Sequence, residues 1–164
     1  EARYGGPVTI VTQNIDPLHE MAGSKNVIHM HGREGEVRCM NCAAAFPSDA
    51  DLSPESVCPK CGAVGELRPN IVWFGEQPMH LDEIYAALES CNLFMAVGTS
   101  GQVYPAAGFV LQVRRRARAH TVELNLEPTE NQPLFREHIY GPATRIVPPY
   151  VERILAAGWK PGGW

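Results

Sequence analysis

Two Cys-x-x-Cys pairs constrain this chain more than any other feature. Cys39-Met40-Asn41-Cys42 and Cys58-Pro59-Lys60-Cys61 are separated by fifteen residues, 43 to 57. Each short turn can aim two thiolates at one ion, and two such turns complete a tetrahedron. Gly62 after the second pair permits a tight turn that frees backbone N–H groups to face the sulfurs. Two disulfides are the first alternative, but the chain carries no secretory feature that would favour them. A redox pair is the second, but that motif normally stands once, at a helix start. The spacing therefore predicts a structural zinc ion held by Cys39, Cys42, Cys58 and Cys61. Four thiolates leave no open coordination position, so the ion shapes the chain and performs no chemistry. Residues 35–67 around the pairs are rich in Cys, Pro and Gly, show no long helix pattern, and read as an insert. Such a stretch cannot build a core of its own, so metal binding supplies most of its folding energy. Cys91 stands apart and reads as a small buried hydrophobe at a helix end.

Outside the insert, short β-branched runs alternate with segments of helical period. Val8–Thr12, Val27–His31, Leu93–Val97, Thr121–Leu124 and Thr144–Val147 read as strands. Leu93-Phe94-Met95-Ala96-Val97 is apolar throughout, as a strand covered on both faces should be. Met79–Ser90 places Ile84, Ala87, Leu88 and Cys91 on one stripe. Pro105 opens a further helix carrying Val110, Val113 and Ala117. Pro149–Ala157 forms the last helix, with Val151, Ile154 and Leu155 inward and Gly158 as its cap. The tail Lys160–Trp164 is expected to fray. The alternation predicts an α/β fold, a Rossmann-like parallel sheet over 1–34 and 68–158, interrupted by the zinc-binding insert at 35–67.

Charge and hydropathy remove several function classes. The chain has 164 residues, 14 basic against 18 acidic, a net charge of −4. General nucleic-acid binding needs a basic surface to displace counterions, so none is expected. The one basic run, Arg114-Arg115-Arg116 with Arg118, reads as a solvated helix face near a C-terminal end. No stretch approaches the roughly 18 apolar residues a membrane span requires. No signal peptide opens the chain, which says little about the true N-terminus because the first residues run at once into a strand; the expected location is cytoplasmic.

The densest polar cluster is Thr12-Gln13-Asn14-Ile15-Asp16, followed by Leu18-His19. It lies at a strand C-terminal end, where open parallel sheets bind ligands. Its amides and carboxylate suit ribose hydroxyls and a carboxamide; equally, Asn and Asp there can cap the next helix. His31-Gly32 closes the second strand. His29 alternates onto the same face, so a metal pair is one reading and a structural histidine the other. Arg68-Pro69-Asn70-Ile71-Val72-Trp73-Phe74-Gly75-Glu76 carries an exposed-looking aromatic pair, either in a core strand or at an edge that accepts an extended peptide. Gly98-Thr99-Ser100 after the third strand suggests close approach to a ligand. Neither a GxGxxG fingerprint nor a P-loop is present.

Taken in order, Thr12-Gln13-Asn14-Ile15-Asp16-x-Leu18-His19, His31-Gly32, the paired cysteines, Val72-Trp73-Phe74-Gly75-Glu76, Gly98-Thr99-Ser100 and Asn125 resemble the sirtuin family across essentially the whole chain. His29-Met30-His31-Gly32, Asp82–Tyr85, Val103–Phe109 and Thr121–Pro128 are similar to its bacterial branch grouped with the deacylases that also remove succinyl and malonyl groups. The resemblance implies an NAD-dependent protein-lysine deacylase that moves the acyl group to ADP-ribose and releases nicotinamide. His31 would be the general base for a nicotinamide-ribose hydroxyl, a task that suits an imidazole. Gln13 and Asn14 would contact that ribose, and Ile15 and Asp16 would line the nicotinamide pocket. Gly98, Thr99, Ser100, Asn125, Leu126, Glu127 and Ala143 would hold the adenosine half. Val72, Phe74, Gly75, Glu76 and Val103 would grip the acylated-lysine peptide as a strand between strands.

The chain opens at Glu1 without an initiator Met and reads as the middle of a longer protein. The family's opening Gly-Ala-Gly strand–loop–helix, which wraps the pyrophosphate, has no counterpart here. Nor has the loop whose Tyr and Arg read an acidic acyl group. The expectation is that this stretch by itself binds NAD weakly and does not deacylate. The competing reading is a non-catalytic zinc-bearing module that binds peptide or partner. An ordinary NAD dehydrogenase is disfavoured by the missing fingerprint.

Overall fold

The computed structural model describes residues 1–116 and 119–157. In chain order its elements are β1 (Ile10–Thr12), α1 (Leu18–Met21), β2 (Val27–His29), β3 (Gly32–Cys39), β4 (Ala45–Pro47), β5 (Leu67–Ile71), α2 (Leu81–Ser90), β6 (Leu93–Val97), α3 (Phe109–Arg116), β7 (His120–Asn125), β8 (Glu137–Tyr140) and α4 (Ala143–Ala157). The chain divides into two units, one of Gly6–Leu81 with Glu1, the other of Ala2–Gly5 with the chain from Asp82 onward.

In the first unit β1 and β2 run parallel, Ile10 opposite Val27 and Thr12 opposite His29. Met30 follows β2 and is fully buried; its N–H donates to the Thr12 carbonyl at 3.1 Å and its carbonyl accepts from Met79 N–H at 2.9 Å. The strand expected over Val27–His31 stops at His29. Met30 and His31 form the turn into β3, because the backbone must reverse onto Gly32, whose φ is +85°. The stretch holding the cysteines is an antiparallel sheet in the order β4-β3-β5, with an added bridge between Val57 and Val64.

The second unit carries a parallel sheet in the order β6-β7-β8. Two expectations fail here. The strand buried along its length is β7, not β6: Thr121, Val122, Glu123 and Leu124 are all buried, and both α3 and α4 lie against it. β6 is a sheet edge, with Met95 38% and Val97 42% exposed. Thr144–Val147 is helix, not strand. α4 begins at Ala143 and continues through Pro148 and Pro149, whose missing N–H groups fall opposite the carbonyls of exposed Thr144 and Arg145, where water can satisfy them. Tertiary packing overrides the local β-branched signal. Ile146, Val147, Tyr150 and Ile154 form one helical stripe on Val122 and Leu124, with Leu93, Ile139 and Tyr4 completing the cluster. The fifth strand is instead β8, paired with β7.

Helix boundaries also shift. α2 starts at Leu81, not Met79, and buries Ile84 and Leu88. Pro105 caps a short 3-10 turn, Ala106–Gly108, that leads into α3. Phe109, Val110 and Val113 are its buried face. The expected positions of Ala117, Arg118, the Gly158 cap and the tail 160–164 lie outside the described residues. Among the described residues no helix is long and apolar enough to cross a membrane.

Candidate active site and metal centre

Thr12 ends β1 with its side chain buried, and its Oγ1 accepts the Asn14 N–H at 3.1 Å. From that point four successive carbonyls are taken up by one segment, residues 29–34. Met30 N–H serves Thr12. His31 Nδ1 lies 3.0 Å from the Gln13 carbonyl. His29 Nδ1 lies 3.2 Å from the Asn14 carbonyl. Glu34 N–H donates to the Ile15 carbonyl at 2.8 Å. The loop backbone is thereby fixed. Asp16 Oδ1 accepts the Leu18 N–H at 3.1 Å, a local turn that opens α1. Asp16 thus shapes the turn that precedes α1, while Asn14 and Ile15 stay exposed.

A carbonyl only accepts, so the His31 contact requires the proton on Nδ1. The neutral ring then carries its lone pair on Nε2. Gly32 follows at the point where β3 crosses β5. A Cβ there would stand 2.0 Å from the Asn70 carbonyl oxygen and 2.7 Å from Ile71 Cα. The His31 carbonyl accepts Val72 N–H at 2.9 Å. His31 is therefore pinned through its ring to the Gln13 loop and through its carbonyl to the segment after β5.

His29 is not half of a metal pair. Its side chain is 4% exposed, and its Nε2 lies 2.8 Å from Glu20 Oε1. The same oxygen accepts Arg33 Nη2 at 2.8 Å. The hydrogen bond to His29 leads the effects that lower the Glu20 carboxyl below its usual range.

The turn after β5 is built on Glu76. Arg68 donates to it through both terminal nitrogens, at 2.6 and 3.1 Å, and also to the Ile71 carbonyl at 3.0 Å. Trp73 N–H donates to Glu76 Oε2 at 2.9 Å. The Arg68 guanidinium stacks 3.5 Å over the Trp73 ring. Hydrogen bonds from Arg68, then from Trp73 N–H, hold the Glu76 carboxyl down to about 2. The tip this creates leaves Phe74 wholly exposed and Trp73 half exposed. Val72 is half-buried and Gly75 has a φ of +89°. Spacing alone did not reveal Arg68, although an Arg eight residues before a Glu across a Gly-bearing turn is a usable signal.

In the second unit the Asn125 amide donates to the Thr99 carbonyl at 2.8 Å and its Oδ1 accepts Leu126 N–H at 3.0 Å. This ties Gly98-Thr99-Ser100 after β6 to the end of β7. Gly98 N–H donates to the Leu124 carbonyl at 3.0 Å, Gly98 has a φ of +60°, and Ser100 is exposed. Asn131, which the sequence reading missed, donates to the carbonyls of Gly101 and Ala107. Leu126, Glu127 and Ala143 are exposed; Ala143 opens α4 just after Gly141, whose N–H donates to the Asn125 carbonyl at 2.9 Å. Val103 is 41% exposed beside Tyr104. Buried Glu123 was also missed; it accepts Thr129 Oγ1, and Tyr140 Oη at 2.8 Å.

The four cysteines of the pairs come together. Their sulfurs all lie within 4.8 Å of one another, with Cys39–Cys61 at 3.7 Å and Cys42–Cys58 at 3.9 Å. A tetrahedron with zinc–sulfur bonds of about 2.3 Å has edges of about 3.8 Å, so the donor set fits zinc; a disulfide needs about 2.05 Å. The two turns are the same turn made twice. Cys39 N–H donates to the Ala44 carbonyl and Ala43 N–H to the Cys39 carbonyl, while Cys58 N–H donates to Ala63 and Gly62 N–H to Cys58. Ala43 and Gly62 take the same left-handed backbone, φ +58° and +74°. The Asn41 amide, then Ala63 N–H, hold the Cys61 thiol down to about 6. Cys91 stays outside the cluster, with burial raising its thiol.

Comparison with known proteins adds family and scale. The Sir2 family model matches residues 3–105. An NAD-dependent protein deacylase of Caulobacter vibrioides is 51% identical over 155 residues, 94% of this chain and 65% of the relative. One of Escherichia coli K12 is 51% identical over 158 residues, 96% of this chain and 56% of the relative. The chain thus spans less than two thirds of the length of these curated relatives. Among solved structures, a Sir2 homologue in complex with NAD superposes with a TM-score of 0.82 at 36% identity, covering 95% of this chain and 61% of that one. Sir2Tm bound to a propionylated peptide gives a TM-score of 0.71 at 31% identity, covering 92% and 63%.

Proposed function

Because this chain belongs to the Sir2 family, we propose that it carries the base, the peptide-binding turn and part of the dinucleotide contacts of an NAD-dependent protein-lysine deacylase. The observation that carries the reading is the contact of His31 Nδ1 with the Gln13 carbonyl, which selects the tautomer. With Nδ1 committed to the Gln13 carbonyl at 3.0 Å, Nε2 is the free lone pair, and a base so held can accept a proton from a ribose hydroxyl without reorienting.

NAD, when bound, supplies an electrophilic ribose carbon and nicotinamide as the leaving group. The chain's own residues do the rest. Gln13 and Asn14 contact the nicotinamide ribose, Ile15 and Asp16 line the nicotinamide pocket, and His31 Nε2 holds the proton. Gly98, Thr99, Ser100, Asn125, Leu126, Glu127 and Ala143 contact the adenosine half. Val72, Phe74, Gly75 and Val103 bind the acylated-lysine peptide. Glu76 serves that binding through the turn it builds with Arg68, since its carboxylate is already engaged. Extended-peptide binding of this kind gives loose preference for the residues flanking the lysine. Cys39, Cys42, Cys58 and Cys61 hold structural zinc, and residues 35–67 form an insert within a domain of 1–34 and 68–158. The setting is cytoplasmic, and the acyl group is acetyl, with succinyl and malonyl as further candidates.

The test is nicotinamide release from NAD dependent on an acylated peptide, using the protein as its gene encodes it. His31→Ala should lower the rate by more than about a hundredfold, the usual worth of a general base, with the fold intact. A variant keeping more than that sinks the assignment. The same assay separates the non-catalytic peptide-binding module, which shares the exposed Phe74 turn but releases no nicotinamide.

A further inference from the structure

The family reading uses His31 and leaves its neighbour His29 without a task. The geometry points to one. His29 is buried and placed between two acceptors, the Asn14 carbonyl at 3.2 Å from Nδ1 and Glu20 Oε1 at 2.8 Å from Nε2. A histidine kept only to fill space does not need both ring nitrogens spent. Glu20 is held in turn by Arg33, so the side chain is buttressed from behind. Asn14 is the residue whose N–H is fixed by Thr12 Oγ1 and whose preceding carbonyl is fixed by His31. Peptide 13–14 is thus clamped by Thr12 and His31, and the carbonyl of peptide 14–15 by His29.

We infer that His29 is a positioning residue: with Glu20 and Arg33 behind it, it fixes the Asn14 carbonyl, and so sets the orientation of the Gln13–Asn14 backbone against which His31 is held. The inference rests on the functional reading above and assigns His29 no contact with substrate. Release of the Asn14 carbonyl lets peptide 14–15 rotate, and the shared Asn14 Cα passes that torsion to peptide 13–14, which then keeps only its Thr12 and His31 bonds. The Gln13 carbonyl that selects the His31 tautomer is then less tightly aimed, and so is the Asn14 side chain. Misplacement of a reacting group by about 1 Å costs on the order of a hundredfold in rate, and His29 acts one bond removed, so a smaller loss is expected.

Two amide variants divide the contacts of the ring. Asn places its amide nitrogen near the position of Nδ1 and keeps a donor for the Asn14 carbonyl. Gln places its amide nitrogen near Nε2 and keeps a donor for Glu20. In the protein as its gene encodes it, His29→Ala and His29→Gln should each lower kcat roughly tenfold, with the KM for acylated peptide unchanged. His29→Asn should stay within about threefold of wild type. A purely structural His29 predicts the reverse signature: lower melting temperatures in all three variants and wild-type kcat per folded molecule.

The ring 15N shifts of His31 supply a readout that needs no turnover. The wild type should show the Nδ1–H form, retained in His29→Asn and mixed with the other tautomer in His29→Gln. Unchanged His31 shifts in His29→Gln, or equal kcat losses for Asn and Gln, overturn the inference. If His29→Ala does not fold, the Asn and Gln pair decides. If the wild type releases no nicotinamide, the functional reading falls, and the 15N shifts still decide whether His29 positions His31.

Discussion

Gly32→Ala should be the most damaging single methyl that can be added to the first unit. Two costs are separable. The first is dihedral: φ is +85°, and a left-handed backbone costs a residue with a Cβ roughly 1–2 kcal/mol. The second is steric. The added carbon would stand 2.0 Å from the Asn70 carbonyl oxygen, 2.7 Å from Ile71 Cα and 2.8 Å from the Asn70 carbonyl carbon. All three are backbone atoms, so no side chain can swing away, and β3 must separate from β5. That displacement strains the bond between Val72 N–H and the His31 carbonyl, worth about 1 kcal/mol, and adds an overpacking cost of about 1–3 kcal/mol. The stiffer unfolded chain returns only about 0.4–1 kcal/mol. The net loss is about 2–5 kcal/mol, a large share of an ordinary domain's stability. Gly23 is the control, because its φ is +93° and nothing lies within 4 Å of its virtual Cβ. Gly23→Ala carries the dihedral cost alone, about 1 kcal/mol after the unfolded-state return. Urea midpoints of both variants against wild type measure the difference. Two variants within about 1 kcal/mol of each other would refute the steric argument.

Further measurements address other parts of the molecule. One equivalent of zinc should co-purify, and chelation should expose the amides of the Val57–Val64 bridge and β4 to exchange while β6–β8 stay protected; metal-free protein with two disulfides by mass excludes the centre. Glu76 is held down to about 2 in the folded state against about 4.3 in an unfolded chain. Its contribution is therefore complete above the unfolded value and is lost as pH falls toward 2. Glu76→Gln should be less stable than wild type at pH 7, and the gap should close between about pH 5 and 2; a gap constant across that window contradicts the Arg68 pairing. Ile154→Ala removes a buried member of the α4 stripe and should cost about 2–4 kcal/mol by thermal unfolding. A loss under about 1 kcal/mol would mean the stripe is not core.

What the sequence revealed depended on how local the cause was. The cysteine pairs were legible because the metal's demands are written in spacing alone. The exposed aromatic tip was legible because Trp73 and Phe74 sit beside a Gly. Thr144–Val147 was misread because its β-branched run and the following prolines argue for a strand and then a helix start. The deciding fact, a stripe at 146, 150 and 154 meeting Val122 and Leu124, is a tertiary one. Apolarity argues for β6 as the doubly covered strand, yet Met95 and Val97 are partly exposed, and β7, which carries a Thr and a Glu, is the buried one. Glu123 escapes that pattern because Thr129 and Tyr140 satisfy it from distant positions. The occupation of His29, Glu20 and Arg68 was invisible for the same reason: each pairing closes across a turn whose geometry the sequence does not announce.

The twofold sameness of the cysteine turns governs how the ion comes and goes. Each turn is a two-toothed claw, and fifteen residues tether one claw to the other. When one opens, the other keeps the ion, and the tether holds the open claw at an effective concentration on the order of millimolar. Escape then requires both claws to open within the lifetime of a single lapse. The rate at which a bound ion exchanges with an isotope in solution should therefore follow the breathing of the Cys39–Ala44 and Cys58–Ala63 turns. Isotope exchange becomes a clock for local opening in a stretch, residues 35–67, whose buried side chains are Val37, Cys39 and Cys58.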